Sequence, residues 1–128
     1  VITETLLPRE LKPVMQAEEV IAMQTLTDKV RVEASLVDYI LDIIAATRSS
    51  AAISLGGSPR AAKSLYRAAQ AVAVLEGYDY ALPRHIKELA VPVLAHRLLL
   101  KGVDSGPAYS HRAEEILRAL LEEVSVPL

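Results

Sequence analysis

Several residue types are missing from this chain, and each absence narrows its fold and its chemistry. The 128 residues include no cysteine, no tryptophan and no phenylalanine. Without cysteine there is no disulfide, no thiolate metal site and no thiol nucleophile, and we expect a cytoplasmic protein. No run of about 18 apolar residues occurs that could cross a membrane.

The apolar residues that are present favour a helical domain. They make up 52% of the chain, and without Phe or Trp the core must be built from Leu, Ile, Val and Ala. These residues recur at helical spacing, and no strongly alternating strand pattern occurs. The length suits one small domain. We therefore predict an all-α fold, a small bundle of about four core helices with an extended entry segment before it and an extra C-terminal helix.

Signals along the chain divide it into three parts. Residues 1–16 have the pattern of an entry segment, since prolines at positions 8 and 13 interrupt it. Residues 17–100 carry helices that we place at 17–29, at 33–48, from 58 to a stop at Gly77, and from Pro83 to a break near Ala90 or Val91 that Pro92 causes, with a loop over 49–57. Residues 101–128 comprise a linker and an amphipathic helix from about Ser110. Because the chain begins at Val1 without a signal-peptide pattern, we interpret it as a segment of a longer protein.

The stretch most informative about function opens the third of these helices. Gly56 and Gly57 give the backbone freedom to turn. Ser58 offers an N-cap hydroxyl, and Pro59 follows at the first helical position. Arg60 then lies in the first turn, where a cation opposes the helix dipole unless an anion neutralises it. The stretch predicts a phosphate site made of free N–H groups and a guanidinium, although an ordinary capped helix with its arginine in water has the same pattern.

From this stretch onward the sequence resembles the C-terminal lid of MoxR-family AAA+ ATPases. The similar segment is LGGSPRAAKSLYRAAQAVAVLEGYDYALPRHIKELAVPVLAHRLLL, and the upstream LKPVMQAEEVIAMQ resembles the entry to that lid. The shared features are the Ser-Pro-Arg turn, the alanine-rich helix, the Gly-x-Asp-Tyr turn and the Pro-Val-Leu-x-His-Arg segment. Two helix caps typical of the family are replaced by Gln16 and Leu82, so we expect packing to fix the second of these turns.

The resemblance implies a part in ATP hydrolysis. In this family the lid closes over ATP and Mg²⁺ bound to an αβ core of the same chain, and an arginine called sensor 2 contacts the γ-phosphate. The matching residue is Arg60, the catalytic candidate, with Ser58 and Pro59 as neighbouring ATP-binding candidates. The resemblance also implies ring-forming subunits, a chaperone-like role in maturing or assembling other proteins, and von Willebrand factor A proteins as partners. Since the chain has no phosphate-binding loop of its own, we expect it alone neither to hydrolyse ATP nor to hold a cofactor tightly.

Other candidate sites are weaker. His85 and Glu88 have the spacing of a metal-binding pair, but without further ligands an exposed histidine near a helix start is the better interpretation, and we expect no metal site. His96 and Arg97 match a His-Arg pair of the family, and we expect them to cap the last helical carbonyls.

Two other function classes stay open. A helical adaptor would bind a partner helix through an apolar face, and it would occur without an upstream ATPase core. A nucleic-acid binder would use residues 58–112, where eight Lys or Arg accompany four acids, but this excess is small and aromatics are few. The helix over 33–48 is apolar around most of its circumference, so we also expect the fragment to expose a patch and self-associate.

Overall fold

The computed structural model describes residues 12–102 and 106–128, so most of the predicted entry segment lies outside the described residues. The described chain is mainly helical, which confirms the predicted fold class. Its elements are α1 (Ala17–Thr27), α2 (Ala34–Ser49), β1 (Ile53–Leu55), α3 (Pro59–Leu75), α4 (Pro83–Leu94), a 3₁₀ turn (Ala95–Arg97), β2 (Leu99–Leu100) and α5 (Pro107–Glu123).

Helix α2 packs against α3, α4 and α5. Asp38 and Asp42 face solvent, as predicted. The apolar side chains of this helix are covered within the domain, with Leu41 left 52% exposed. Three neighbouring helices thus cover most of the apolar surface that we expected this helix to expose, and only Leu41 remains of it. Leu6, Leu7 and Leu11 of the entry segment, which the predicted patch included, lie outside the described residues, and self-association stays a prediction. The buried residues of α2 are Leu36, Tyr39, Ile40, Ile43, Ile44 and Thr47.

The C-terminal helix contributes to the same core. Leu117 and Leu121 on α5 lie in the main cluster of buried side chains with residues of α2, α3 and α4. An ion pair between Lys87 Nζ and Glu122 Oε1, 2.9 Å apart, also joins α4 to α5. The helix begins at Pro107, three residues before its predicted start, since proline is well suited to the first helical position.

A two-stranded antiparallel sheet forms that the sequence did not predict, and its first strand falls in the predicted loop. Ile53 of β1 lies opposite Leu100 of β2, and Leu55 lies opposite Leu99. The loop prediction for 49–57 was wrong over these three residues of β1. Their partners lie far along the chain, so a tertiary contact and not a local pattern creates the strands.

Helix α4 continues through Pro92, which corrects the predicted break. Pro92 is exposed, so the disturbed carbonyl side of the helix faces solvent. The opposite side is anchored by Ile86, Ala90 and Leu94, which are all 0% exposed. This burial offsets the missing backbone hydrogen bond, and the helix ends only two residues later.

Helix α1 differs from the other helices because none of its residues is buried. It packs against α3 but leaves Val20, Ile21 and Leu26 exposed by 42%, 60% and 52%. Among the described helices, α1 therefore has the most exposed large apolar side chains. Among the described residues, no helix is both long enough and apolar enough to cross a membrane.

Candidate functional site

The start of α3 is capped as the sequence predicts. Ser58 has an extended backbone, and its Oγ accepts a hydrogen bond of 3.2 Å from the Ala61 N–H. The Ala62 N–H bonds to the Ser58 carbonyl at 3.1 Å, and Pro59 has no N–H to offer. Within the described residues, only the Arg60 amide of this first turn lacks an acceptor. The predicted set of free N–H groups is therefore reduced to one.

The Arg60 side chain is exposed and has no carboxylate partner in the described part of the chain. Arg67 lies 2.6 Å from Asp28 and Arg84 pairs with Glu76, whereas Arg31, Arg48 and Arg97, like Arg60, have no carboxylate partner among the described residues. A guanidinium beside the positive end of a helix is locally unfavourable. Arg60 is thus a cation whose position suits an external anion.

A groove of about 500 Å³ lies in front of this turn. It is lined by Arg48, Arg97 and residues 54–59. Arg97 Nε donates to the Val93 carbonyl at 3.0 Å, which confirms the predicted carbonyl cap for this residue. The exposed His96 makes no such bond among the described residues, so the prediction was wrong for it. Sequence reasoning missed Arg48, whose position in the last turn of α2 was the available signal.

The glycine pair is required for a different reason than predicted. The described glycines with positive φ are Gly77, Gly102 and Gly106, so neither Gly56 nor Gly57 uses the left-handed region. Instead, a Cβ on Gly56 would lie 2.8 Å from the Arg48 backbone, and one on Gly57 would lie 2.6 Å from the Ile44 Cδ1 atom. Close approach of the turn to α2 therefore explains the two glycines.

His85 lies in the first turn of α4 and contacts Glu76 at the C-terminal end of α3, and the prediction that it is exposed was wrong. Its ring is 0% exposed. Nδ1 accepts from the Leu82 N–H at 3.1 Å, so Nε2 carries the proton and donates to Glu76 Oε2 at 2.9 Å. The imidazole thus caps the turn that we expected packing alone to fix, because the side chain of Leu82 cannot.

The carboxylate of Glu76 is held by two partners. Arg84 donates to both of its oxygens, with 3.1 Å between Nη1 and Oε1, and His85 donates to Oε2. These hydrogen bonds, Arg84 first and His85 second, hold the pKa of Glu76 below its ordinary value. Glu76 also raises the pKa of Arg84. Within residues 12–102 and 106–128, no three potential ligands cluster to form a metal site.

Comparison with known proteins decides the family. Residues 45–120, more than half of the chain, match the family model for the AAA lid domain. The chain belongs to the AAA lid domain family.

Relatives of this lid carry MoxR names. The lid is 36% identical to the uncharacterized protein YeaC of Bacillus subtilis over 92% of the chain, and 28% identical to Chaperone MoxR1 of Mycobacterium tuberculosis over 94%. It is 35% identical to Protein MoxR of Paracoccus denitrificans over 66% of the chain. The predicted resemblance to the MoxR family of AAA+ ATPases is confirmed.

A solved structure shows the same fold. A protein assigned as an ATPase, from Cytophaga hutchinsonii, superposes with a TM-score of 0.77 at 25% identity, covering 99% of the lid and 41% of that chain. The lid spans about a third of YeaC and of MoxR1, at 36% and 34% of their lengths, and 27% of the Paracoccus MoxR.

Proposed function

We propose that this lid belongs to an ATP-hydrolysing protein of the MoxR type and that Arg60 is its sensor-2 arginine. The observation that carries the proposal is the Arg60 guanidinium at the positive end of α3, which has no carboxylate partner among the described residues and lies beside one amide for which these residues offer no acceptor. Both groups suit a phosphate oxygen. ATP and Mg²⁺ would be held mainly by an αβ domain elsewhere in the longer protein.

Each residue of the turn has a separate part in this proposal. The Arg60 guanidinium binds the γ-phosphate and stabilises the charge that develops during phosphoryl transfer. The Ser58 oxygen holds the first turn through Ala61, and its hydroxyl hydrogen stays free to donate to phosphate. Pro59 supplies an apolar edge to the groove and no hydrogen bond.

After hydrolysis the partner of Arg60 is lost. The guanidinium then no longer holds the lid toward the nucleotide, and the lid reorients as a rigid body. In a cytoplasmic chaperone-like ATPase this motion would transmit the nucleotide state to client proteins, with von Willebrand factor A proteins among the partners.

The test is Arg60→Ala in the full-length protein. We expect steady-state ATP hydrolysis at saturating ATP to fall by roughly 10- to 10³-fold, because one charge that neutralises the transferring phosphoryl group is removed. Lys63→Ala is the matched control, since it removes an exposed positive charge one turn further along the same helix. Unchanged hydrolysis by Arg60→Ala would sink the assignment.

We further propose that the exposed face of α1 packs on the rest of the same protein or on a neighbouring subunit of a ring. It exposes Val20 and Leu26 beside the side that packs on α3, and Ile21 on the opposite side, and a contact with another domain would cover part of this apolar surface. This observation also favours the second candidate function, a helical adaptor, in which a separate protein covers the same face.

Ile21→Glu in the full-length protein tests that packing. We expect the charge to weaken subunit assembly by at least about 1 kcal/mol, because an ionised carboxylate would be desolvated in the contact. Sedimentation over a concentration series measures the effect, and Ala119→Glu, which adds the same charge at an exposed position of α5, is the control. If Ile21→Glu assembles and hydrolyses ATP as the wild type does, α1 makes no contact within the ring, and only the adaptor role remains for its exposed apolar side chains.

A further inference from the structure

Two side chains at the end of α2 form hydrogen bonds to the turn that leads into α3. Thr47 Oγ1 accepts from the Gly57 N–H at 2.9 Å, and Arg48 Nε donates to the Gly57 carbonyl at 2.7 Å. Thr47 and Arg48, which are consecutive on α2, therefore bind both the N–H and the carbonyl of Gly57. Gly57 lies three positions before Arg60 and directly before the cap residue Ser58.

The orientation of the Thr47 hydroxyl is itself fixed. Thr47 is 0% exposed, and its Oγ1 donates to the Ile44 carbonyl at 2.7 Å. With the proton directed at Ile44, an oxygen lone pair remains for the Gly57 N–H. Because Gly57 is buried, loss of this acceptor would leave its N–H without a replacement from bulk water.

The close approach of the two segments makes the arrangement rigid. A Cβ on Gly56 would collide with the backbone of Arg48, which no change of side-chain rotamer can relieve. Further along, α3 is anchored by buried residues of its own, including Ala61, Leu65 and Ala69. The contacts with Gly57 therefore act mainly on the direction of the first turn and less on the helix as a whole.

We propose that Thr47 and Arg48 are positioning residues for Arg60. By hydrogen-bonding the N–H and the carbonyl of Gly57, they fix the direction of the first turn of α3, which carries Arg60. The inference rests on the proposed sensor role of Arg60. Arg48 also lines the groove and can meet a ligand directly. Thr47 is buried and cannot, so any effect of Thr47 on hydrolysis has to pass through the turn.

The experiment is a double-mutant cycle on ATP hydrolysis by the full-length protein. Thr47→Val keeps the shape of the side chain and removes the acceptor, and we expect it to lower the rate at saturating ATP on the order of 10-fold through misplacement of Arg60. Thr47→Ser restores the oxygen and should recover most of the rate. In the Arg60→Ala background, Thr47→Val should cause no further loss, because the residue that it aims is gone.

A matched control separates positioning from general destabilisation. Thr27 Oγ1 donates to the Met23 carbonyl at 3.0 Å, a similar bond on a helix outside the turn, so Thr27→Val should leave hydrolysis unchanged. All rates are measured well below the melting temperature of each variant. Where Thr47→Val does not fold, Arg48→Met takes its place in the cycle, since it removes the other hydrogen bond to Gly57 from an exposed side chain.

Three outcomes overturn the inference in distinguishable ways. Full activity of Thr47→Val beside an impaired Arg60→Ala contradicts the positioning role and leaves the sensor proposal intact. Losses that multiply in the double mutant show that Thr47 acts independently of Arg60. Full activity of Arg60→Ala removes the sensor proposal itself, and the positioning role with it.

Discussion

The two ends of α3 differ in whether their charged side chains are paired with an opposite charge. At the C-terminal end, Glu76 is bound by Arg84 and by the buried His85, and the ring of Tyr78 lies 5.8 Å from the Arg84 guanidinium carbon. At the N-terminal end, about 25 Å away along the helix, Arg60 has no carboxylate partner among the described residues.

We interpret the C-terminal end of α3 as structural and, under the proposed sensor role of Arg60, the N-terminal end as functional. Charges that satisfy one another stabilise the lid and leave little for a ligand. A cation left beside a helix N-terminus adds nothing to the lid by itself and suits an anion from outside. The comparison predicts that substitutions at the C-terminal end change folding stability, whereas substitutions at the N-terminal end change ATP hydrolysis.

The largest effect on stability should come from His85→Ala. The substitution removes a fully buried ring and leaves the Leu82 N–H without its acceptor, so the free energy of unfolding should fall by about 2–4 kcal/mol. Arg60→Ala should change it by no more than about 0.5 kcal/mol. Urea unfolding of both variants measures the difference.

A conservative variant sharpens this prediction. His85→Asn keeps an acceptor close to the Leu82 N–H and should recover part of the loss. Equal destabilisation by Arg60→Ala and His85→Ala would mean that the two ends of α3 do not differ as proposed.

A smaller predicted effect is a pH dependence of folding stability that arises at the C-terminal end of α3. The pKa of Glu76 is lowered from its ordinary value of 4.5, first by the hydrogen bond from Arg84 and then by that from His85. A carboxylate with a lowered folded-state pKa stabilises the fold above its unfolded-state pKa, and this contribution is lost as pH falls through the folded-state pKa. Acidification below about pH 4.5 should therefore remove it.

Carboxyl NMR titration tests this directly. In the wild type, Glu76 should titrate below 4.5, and in Arg84→Met its midpoint should move back toward that value. Arg118→Met, which removes the arginine of another surface ion pair on α5, is the control and should leave the Glu76 midpoint unchanged. A Glu76 midpoint that Arg84→Met leaves unchanged would contradict the assigned cause.

Local sequence signals were sufficient to predict both ends of α3, because each end depends on hydrogen bonds and backbone angles within a few residues. Ser58 caps α3 through Ala61, and Gly77, at φ 81°, ends it with the Tyr78 N–H bonded to the Ala73 carbonyl at 2.8 Å. Both signals act within a few residues, so the sequence carries them completely. The predictions failed at Pro92 and at β1, where the outcome depends on burial and on a strand far along the chain.

The sequence by itself determined the helical class, the resemblance to the MoxR lid and the place of Arg60 in the first turn of α3, because periodicity, caps and motif spacing are local properties. Only the tertiary structure decided which charges are satisfied. It brought Glu76 to His85 and Arg84, joined Thr47 and Arg48 to Gly57, and left Arg60 without a partner in the described residues. Each of these outcomes depends on the packing of one segment against another, and no local pattern specifies that.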